Sequence, residues 1–326
     1  MRFLVAAAAL GLVALSSPAR AADPARTARD FADDFAIPRF RAVATAAHAQ
    51  ADAWTHFCSG ARGDTNALKK SFNDVADAWA KVEFVRIGPA AVALRVERFN
   101  WWLDRTDATG KALNAMLAAP DALTPEKLAS GSVAGQGLPI LERLLFDKDI
   151  DTPRCAVGVS VARGQAAIAD AIVTDWTAPD GAAAALAANA RWKMAFADGK
   201  EAASVMLTDL AAGLEGLKDL KVAMLFHDAT NPNAPRLAEG VRSARTMRDI
   251  SLNLAAIREG LSRFLADAPK ADRAKLDAAF DDAEHALKGG DAKQMLGAFT
   301  TLSQTAIAVL PEATGLTLGF NNLDGD

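Results

Sequence analysis

Three observations predict an all-α protein built as two helical bundles. Alanine is abundant and tyrosine is absent. β-branched runs are scarce, and no apolar/polar alternation of the kind strands need persists along the chain. Apolar residues recur instead with a period near 3.6. Ile250, Leu254, Ile257, Leu261 and Phe264 follow a 4-3-4-3 spacing, as do Met295, Phe299, Leu302, Ala306 and Val309. Leu276, Phe280, Ala283 and Leu287 share one side of residues 270–288, with Lys270, Asp272, Lys275, Asp282 and Lys288 elsewhere. These are core stripes of amphipathic helices. No GxGxxG or Walker loop is found.

The elements follow from the turn chemistry. Pro38 suits a helix start, because its missing N–H is not needed in a first turn, and that helix runs to Ser59-Gly60. Asp64-Thr65-Asn66 can cap the next, from Ala67 to about Val85. Gly88-Pro89 breaks the chain, and an irregular passage leads to Trp101-Trp102. Helices are expected at 106–118, 124–130, 139–146 and 153–175, then near 182–196 and 200–224. A turn-forming loop at 228–235 precedes the three striped helices, and an unhelical tail, 316–326, closes the chain. Pro179-Asp180-Gly181 divides it into an N-terminal bundle, 22–179, and a C-terminal bundle, 180–326. Phe99-Asn100-Trp101-Trp102-Leu103-Asp104 is echoed, one residue shorter, by Phe320-Asn321-Asn322-Leu323-Asp324. The echo suggests internal duplication and pseudo-symmetric halves.

The first 21 residues read as a signal peptide: Arg2, an apolar run from Phe3 to Leu15, and a cleavage site at Ala19-Arg20-Ala21. The run is shorter than the about 20 residues a transmembrane anchor needs. No cysteine lies at the cleavage site, which argues against a lipoprotein anchor. The expected address is the periplasm. The formal net charge of −4 becomes more negative once Arg2 and Arg20 are removed. Such a chain has no bulk electrostatic reason to seek nucleic acid or anionic lipid. Cys58 and Cys155 are the only cysteines, and an oxidising compartment permits a disulfide between them. It would close a loop worth up to about 4–5 kcal/mol of chain entropy. Two buried free thiols are the alternative.

One stretch carries a candidate site: Gly135-Gln136-Gly137-Leu138-Pro139-Ile140-Leu141-Glu142-Arg143-Leu144-Leu145-Phe146. A helix beginning at Pro139 places Glu142 in its opening turn, where the dipole favours a carboxylate. A dipole-compatible charge at a helix start explains Glu142 without any function. The stretch also resembles the signature of the imelysin family, Gly-x-His-x-x-Glu followed by apolar residues. Gly137 and Glu142 match, but Pro139 stands in place of the histidine. Further segments are similar to the family's in the same order. They are Trp79 to Pro89, Phe99 to Asp104, Glu239 to Thr246 and the tail from Leu318 to Asp326.

The resemblance implies two helical bundles with the signature near where they meet. Family members include a proposed metallopeptidase and periplasmic parts of iron-uptake systems. A subset lacking the histidine is of unsettled function, and this chain resembles that subset. Proline can neither bind a metal nor move a proton, so an enzyme is disfavoured. A hydrolytic zinc site usually takes three protein ligands and a water. Only His48, His56, His227 and His285 are present, and none forms an HExxH pair. Glu142 remains the candidate metal ligand, with a histidine from another helix. Iron on the oxygens of Glu142, Asp104 and Asp324 is another arrangement.

Arginines offer different chemistry. Arg86, Arg98 and Arg242 lie in the family-like segments beside Trp101, Trp102 and Ser243. A guanidinium with an aromatic wall suits a carboxylate- or phosphate-bearing ligand such as a ferric chelate or small organic acid. Alternatively, Arg242 or Arg98 simply neutralises a buried Glu142. The expected function is a non-catalytic periplasmic binding or accessory protein linked to iron uptake. Its polar pocket would lie around Glu142, with envelope iron-transport components as partners. An imelysin-type metallopeptidase with an altered ligand set is the alternative, and a structural envelope protein without a small ligand is a third.

Overall fold

The computed structural model describes residues 23–60, 65–102, 104–120, 123–234 and 236–319. The expected signal peptide, Leu103, Asp324 and most of the tail lie outside the described residues. Among those residues the chain is helical, with no strand and a single isolated bridge between Trp192 and Phe196.

Asp23 caps the first helix by accepting the Ala25 N–H, and Pro24 follows it. The helix α1 (Pro24–Phe31) continues through a π turn (Ala32–Ala36) into α2 (Ile37–Cys58). Pro38 is therefore inside a longer helical run rather than at its start. The π turn just before it is where the hydrogen-bond ladder resets around the missing N–H and the proline ring. α3 (Asn66–Ala80) stops five residues before the expected end at Val85. Short helices α4 (Arg95–Phe99), α5 (Ala108–Ala118) and α6 (Pro125–Ser130) lead to α7 (Gly137–Phe146) and α8 (Thr152–Thr177). α9 (Ala182–Ala187) is shorter than expected. Next comes α10 (Gly199–Gly216), running through a second π turn (Leu217–Val222) into α11 (Ala223–Thr230). α12 (Thr246–Phe264), α13 (Lys270–Gly289) and α14 (Ala292–Thr314) are the three striped helices. Every residue of the three apolar stripes is buried.

α2 lies along α8, with α3 and α7 packed beside them. Gly158 lets the pair close: a Cβ there would sit 2.2 Å from the Trp54 ring. The stretch Thr152–Ala187 is long and apolar enough to cross a bilayer on those two counts alone. Here Val157, Val161, Ala162, Ala169, Ile172 and Trp176 of α8 are buried in the core. α10, α12, α13, α14 and the second π turn form the other group, and α1 lies against α10. The first long helical run thus begins against one group and ends within the other, and one continuous core joins them. The division at residue 179 and the duplication stand as proposals about descent.

Cys58, at the end of α2, is bonded to Cys155 in the first turn of α8, with the Cα atoms 5.6 Å apart. The bond closes a 97-residue separation, so Cys155→Ser is expected to lose about 2–5 kcal/mol. Urea unfolding with and without reductant measures this. An unchanged midpoint would show that helix packing alone holds α2 on α8.

Candidate functional site

α7 is placed by its first residue. Gly137 has φ +69°, and a Cβ there would fall 2.1 Å from the Phe99 carbonyl oxygen and 2.6 Å from that of Arg98. Only glycine lets the start of α7 rest on the end of α4 in this way. Because the helix begins at Gly137 and not at Pro139, Glu142 lies in its second turn, beyond the reach of most of the dipole. Its stabilisation comes from elsewhere. Glu142 Oε1 accepts the Ser243 backbone N–H at 3.0 Å and the Ser243 hydroxyl at 2.6 Å. Glu142 is 8% exposed. Burial pushes its carboxyl above the usual range, and the Ser243 hydrogen bonds and the Arg242 charge only partly oppose this.

Ser243 belongs to a turn clamped on two sides. Gly240 and Ala244 take positive φ, and the Arg245 N–H closes back on the Gly240 carbonyl at 2.8 Å. The buried Arg245 side chain donates to Asn73, to Asp77 and to Asp249, reaching both α3 and α12. Burial and the Glu239 charge push Asp249 up to about 7 despite Arg245 beside it. On the other side, Arg242 donates to Asp147 at 2.8 Å. Arg242 therefore pairs with Asp147, just past the end of α7, and not with Glu142.

Beside this turn lies a cavity of about 330 Å³. Its apolar walls include Trp79, Phe84, Trp102, Leu217 and Ile257. Its polar floor is a cluster that the expected site residues do not include. The Lys221 ammonium donates to Glu83 and to Asn253, the latter at 2.7 Å, and lies 2.8 Å from Glu239 Oε2. Asn100 donates to Glu239 at 2.6 Å, and Asn253 donates to Glu83 at 2.9 Å. The three charged side chains are 13–16% exposed. Burial alone would raise the Glu83 carboxyl, but Lys221 and Asn253 outweigh it and hold it below its ordinary value. Lys221 is likewise held above the ordinary lysine value: burial opposes the ammonium, and Glu239 and Glu83 outweigh it.

Lys221 reaches the cavity from the π turn of the α10–α11 run. Such turns widen the helix by one residue and are frequent at functional sites. Across the cavity, Asp209 Oδ2 accepts the N–H groups of Arg86 and Ile87 at 2.7 and 2.8 Å. Burial still pushes Asp209 up to about 7.

The remaining expected residues are placed as follows. Arg86 is on the cavity wall and pairs with Glu97 at 3.1 Å. Arg98 donates to the carbonyl oxygens of Ala93, at 3.0 Å, and Ala129. Asp104 accepts the N–H groups of Ala108 and Thr109 at 2.8 and 2.9 Å, capping α5. The Trp101 indole N–H is buried without a partner, and Trp101 is not among the cavity residues. Of the set, Glu142 and Ser243 are in contact, and Arg86 joins the cavity. The sequence did hold a signal for Lys221: Leu210, Leu214, Leu217 and Lys221 continue a 4-3-4 spacing, which puts a lysine on a buried stripe. Asn253 sits on the α12 stripe in the same way, between Ile250 and Ile257.

Residues 36–313 match the family model described as Imelysin. This chain belongs to the imelysin family. Comparison with curated proteins gives no match. Among solved structures, an imelysin-like protein from Psychrobacter arcticum 273-4 superposes with a TM-score of 0.78 at 20% identity, covering 92% of this chain and 99% of that one. An iron-regulated protein A precursor, so described with reserve, from Parabacteroides distasonis ATCC 8503 gives 0.70 at 15% identity, covering 90% and 93%. At these identities the likeness is one of fold.

The described residues do not fit a metal of the kind the family resemblance implies; Asp324 lies outside them. Both cysteines are in the disulfide. His48 is taken up with Asp170 at 2.9 Å and His227 with Asp228 at 3.2 Å. Among the described residues, no three His, Cys, Asp or Glu side chains gather so that they could hold an ion. No chemical step is therefore routed through one.

Proposed function

We propose that this imelysin-family member is an exported, periplasmic binding or accessory protein, non-catalytic and connected with iron uptake. Its ligand is a small molecule, and a metal, where one is carried, enters as cargo in a chelate rather than as a resident cofactor. Envelope iron-transport components are the proposed partners. The observation that carries this is the cavity of about 330 Å³, within the size range of small-molecule sites; neither Glu142 nor Ser243 lines it, and Glu239, which precedes the Ser243 turn, does. Glu142 serves by holding the Ser243 turn against α7, and Glu239, just before that turn, lines the cavity.

The metallopeptidase alternative draws on the retained Gly137 and on the buried, raised carboxyl of Glu142. It needs ligands that, among the described residues, the side chains around Glu142 do not supply. Elemental analysis separates the two, using protein purified without chelators or an affinity-tag histidine run. We expect no near-stoichiometric metal that depends on Glu142. Metal present in the wild type and lost in Glu142→Ala would overturn the binding-protein reading in favour of the peptidase.

A further inference from the structure

Granted that the cavity is the ligand site, we propose that it takes an organic cation, a protonated amine carried on an apolar body. The hydrogen-bonding inventory of the walls points to this class. The Lys221 ammonium is enclosed by Glu83, Asn253 and Glu239 and has nothing left to offer a ligand. The amides of Asn253 and Asn100 are spent on Ala80, Glu83 and Glu239. The Thr208 hydroxyl donates to the Ser204 carbonyl at 2.8 Å and accepts the Gly319 N–H at 2.9 Å. Arg86, half exposed, keeps free N–H groups but has its charge balanced by Glu97 at 3.1 Å.

Acceptors are in surplus by contrast. Glu239 is already met by the Lys221 ammonium, 2.8 Å from Oε2, and by the Asn100 amide on Oε1. Both N–H groups bonded to Asp209 fall on one of its oxygens, leaving the other uncommitted. Two carboxylates on the floor face one ammonium, so a negative charge is left over before Asp209 is counted. Trp79, Phe84 and Trp102 make the lining aromatic, which suits a cation better than an anion. The indole N–H groups of Trp79 and Trp102 are unpartnered, but so are those of Trp54, Trp101 and Trp176, which do not line the cavity. They do not set the charge of the ligand.

Calorimetry with three probes of one shape tests the proposal: phenethylammonium, 2-phenylethanol and 3-phenylpropionate. The amine is expected to bind at least about tenfold more tightly than the alcohol, with the carboxylate weakest, because the charge left over on the floor is negative. Glu239→Gln, which leaves Glu83 to hold Lys221, is expected to weaken the amine and leave the alcohol unchanged. Ala212→Leu, which narrows the cavity, is expected to weaken all three. A carboxylate that binds as tightly as the amine would overturn the cation class and leave the cavity as the site. Binding unchanged in Ala212→Leu would overturn the cavity as the site. Wild-type protein that binds none of the three at 10 mM, a ceiling of about 3 kcal/mol, would overturn both.

Discussion

Lys221→Met is expected to destabilise the protein by about 3–5 kcal/mol, the usual cost of removing one partner from a buried ion pair. The methionine fills nearly the same space, so packing changes little. Glu83 and Glu239 then face each other with only Asn100 and Asn253 to bond them. Either both carboxylates stay charged without compensation, or one takes up a proton at neutral pH. Glu239→Gln added to Lys221→Met removes one of the two charges and should recover part of the loss, a coupling that a double-mutant cycle reads directly. Urea unfolding of the four proteins measures it. A loss below about 1 kcal/mol for Lys221→Met would mean that the cluster behaves as a solvated surface pair, and the cavity floor would not be a preorganised charge site.

Gly137→Ala is expected to cost about 3 kcal/mol or more, from a left-handed backbone and an overpacked contact acting together. The nearest obstacle is backbone, the carbonyls of Phe99 and Arg98, which cannot rotate away as a side chain would. Gly290 serves as the control. It has φ +73° at the end of α13 but nothing within 4 Å of a built Cβ, so Gly290→Ala should cost only the backbone share, about 1–2 kcal/mol. Equal losses at the two positions would show that the contact of α7 with the end of α4 is not tight. Because Gly137 sets where α7 begins, it also sets where Glu142 points.

The helices were legible wherever an amphipathic stripe ran long enough, as in α12, α13 and α14, because burial of one face decides their structure. The boundaries were not legible where tertiary bonds override propensity. α3 gives way after Ala80, and the turn that follows delivers the N–H groups of Arg86 and Ile87 to Asp209, a residue 122 positions further on for Ile87. α9 stops at Ala187 because the chain turns through positive φ at Asn189 and Lys193 and the Asn189 side chain accepts the Gly199 N–H. Pro38 marks a reset inside a helix rather than its start, since a π turn absorbs what a proline removes.

At the site, the motif led to Glu142, and the Arg-Ser segment led to Ser243. The choice among arginine partners was out of reach, because Asp147 and Glu142 are both plausible mates for Arg242 until the turn from Gly240 to Arg245 is folded. Lys221 was visible as a lysine on an apolar stripe. Its meaning depended on Glu83 and Glu239 arriving from two other parts of the chain.

Native mass spectrometry of wild-type protein and Ala212→Leu, both purified gently, tests the central claim most directly. The claim is that the cavity floored by Glu83, Lys221 and Glu239, rather than a metal on Glu142, is where this protein meets its ligand. A small organic molecule bound to the wild type and missing from Ala212→Leu is the expected result. Identical adducts on both proteins, or a metal adduct that persists in Ala212→Leu and disappears in Glu142→Ala, would contradict it.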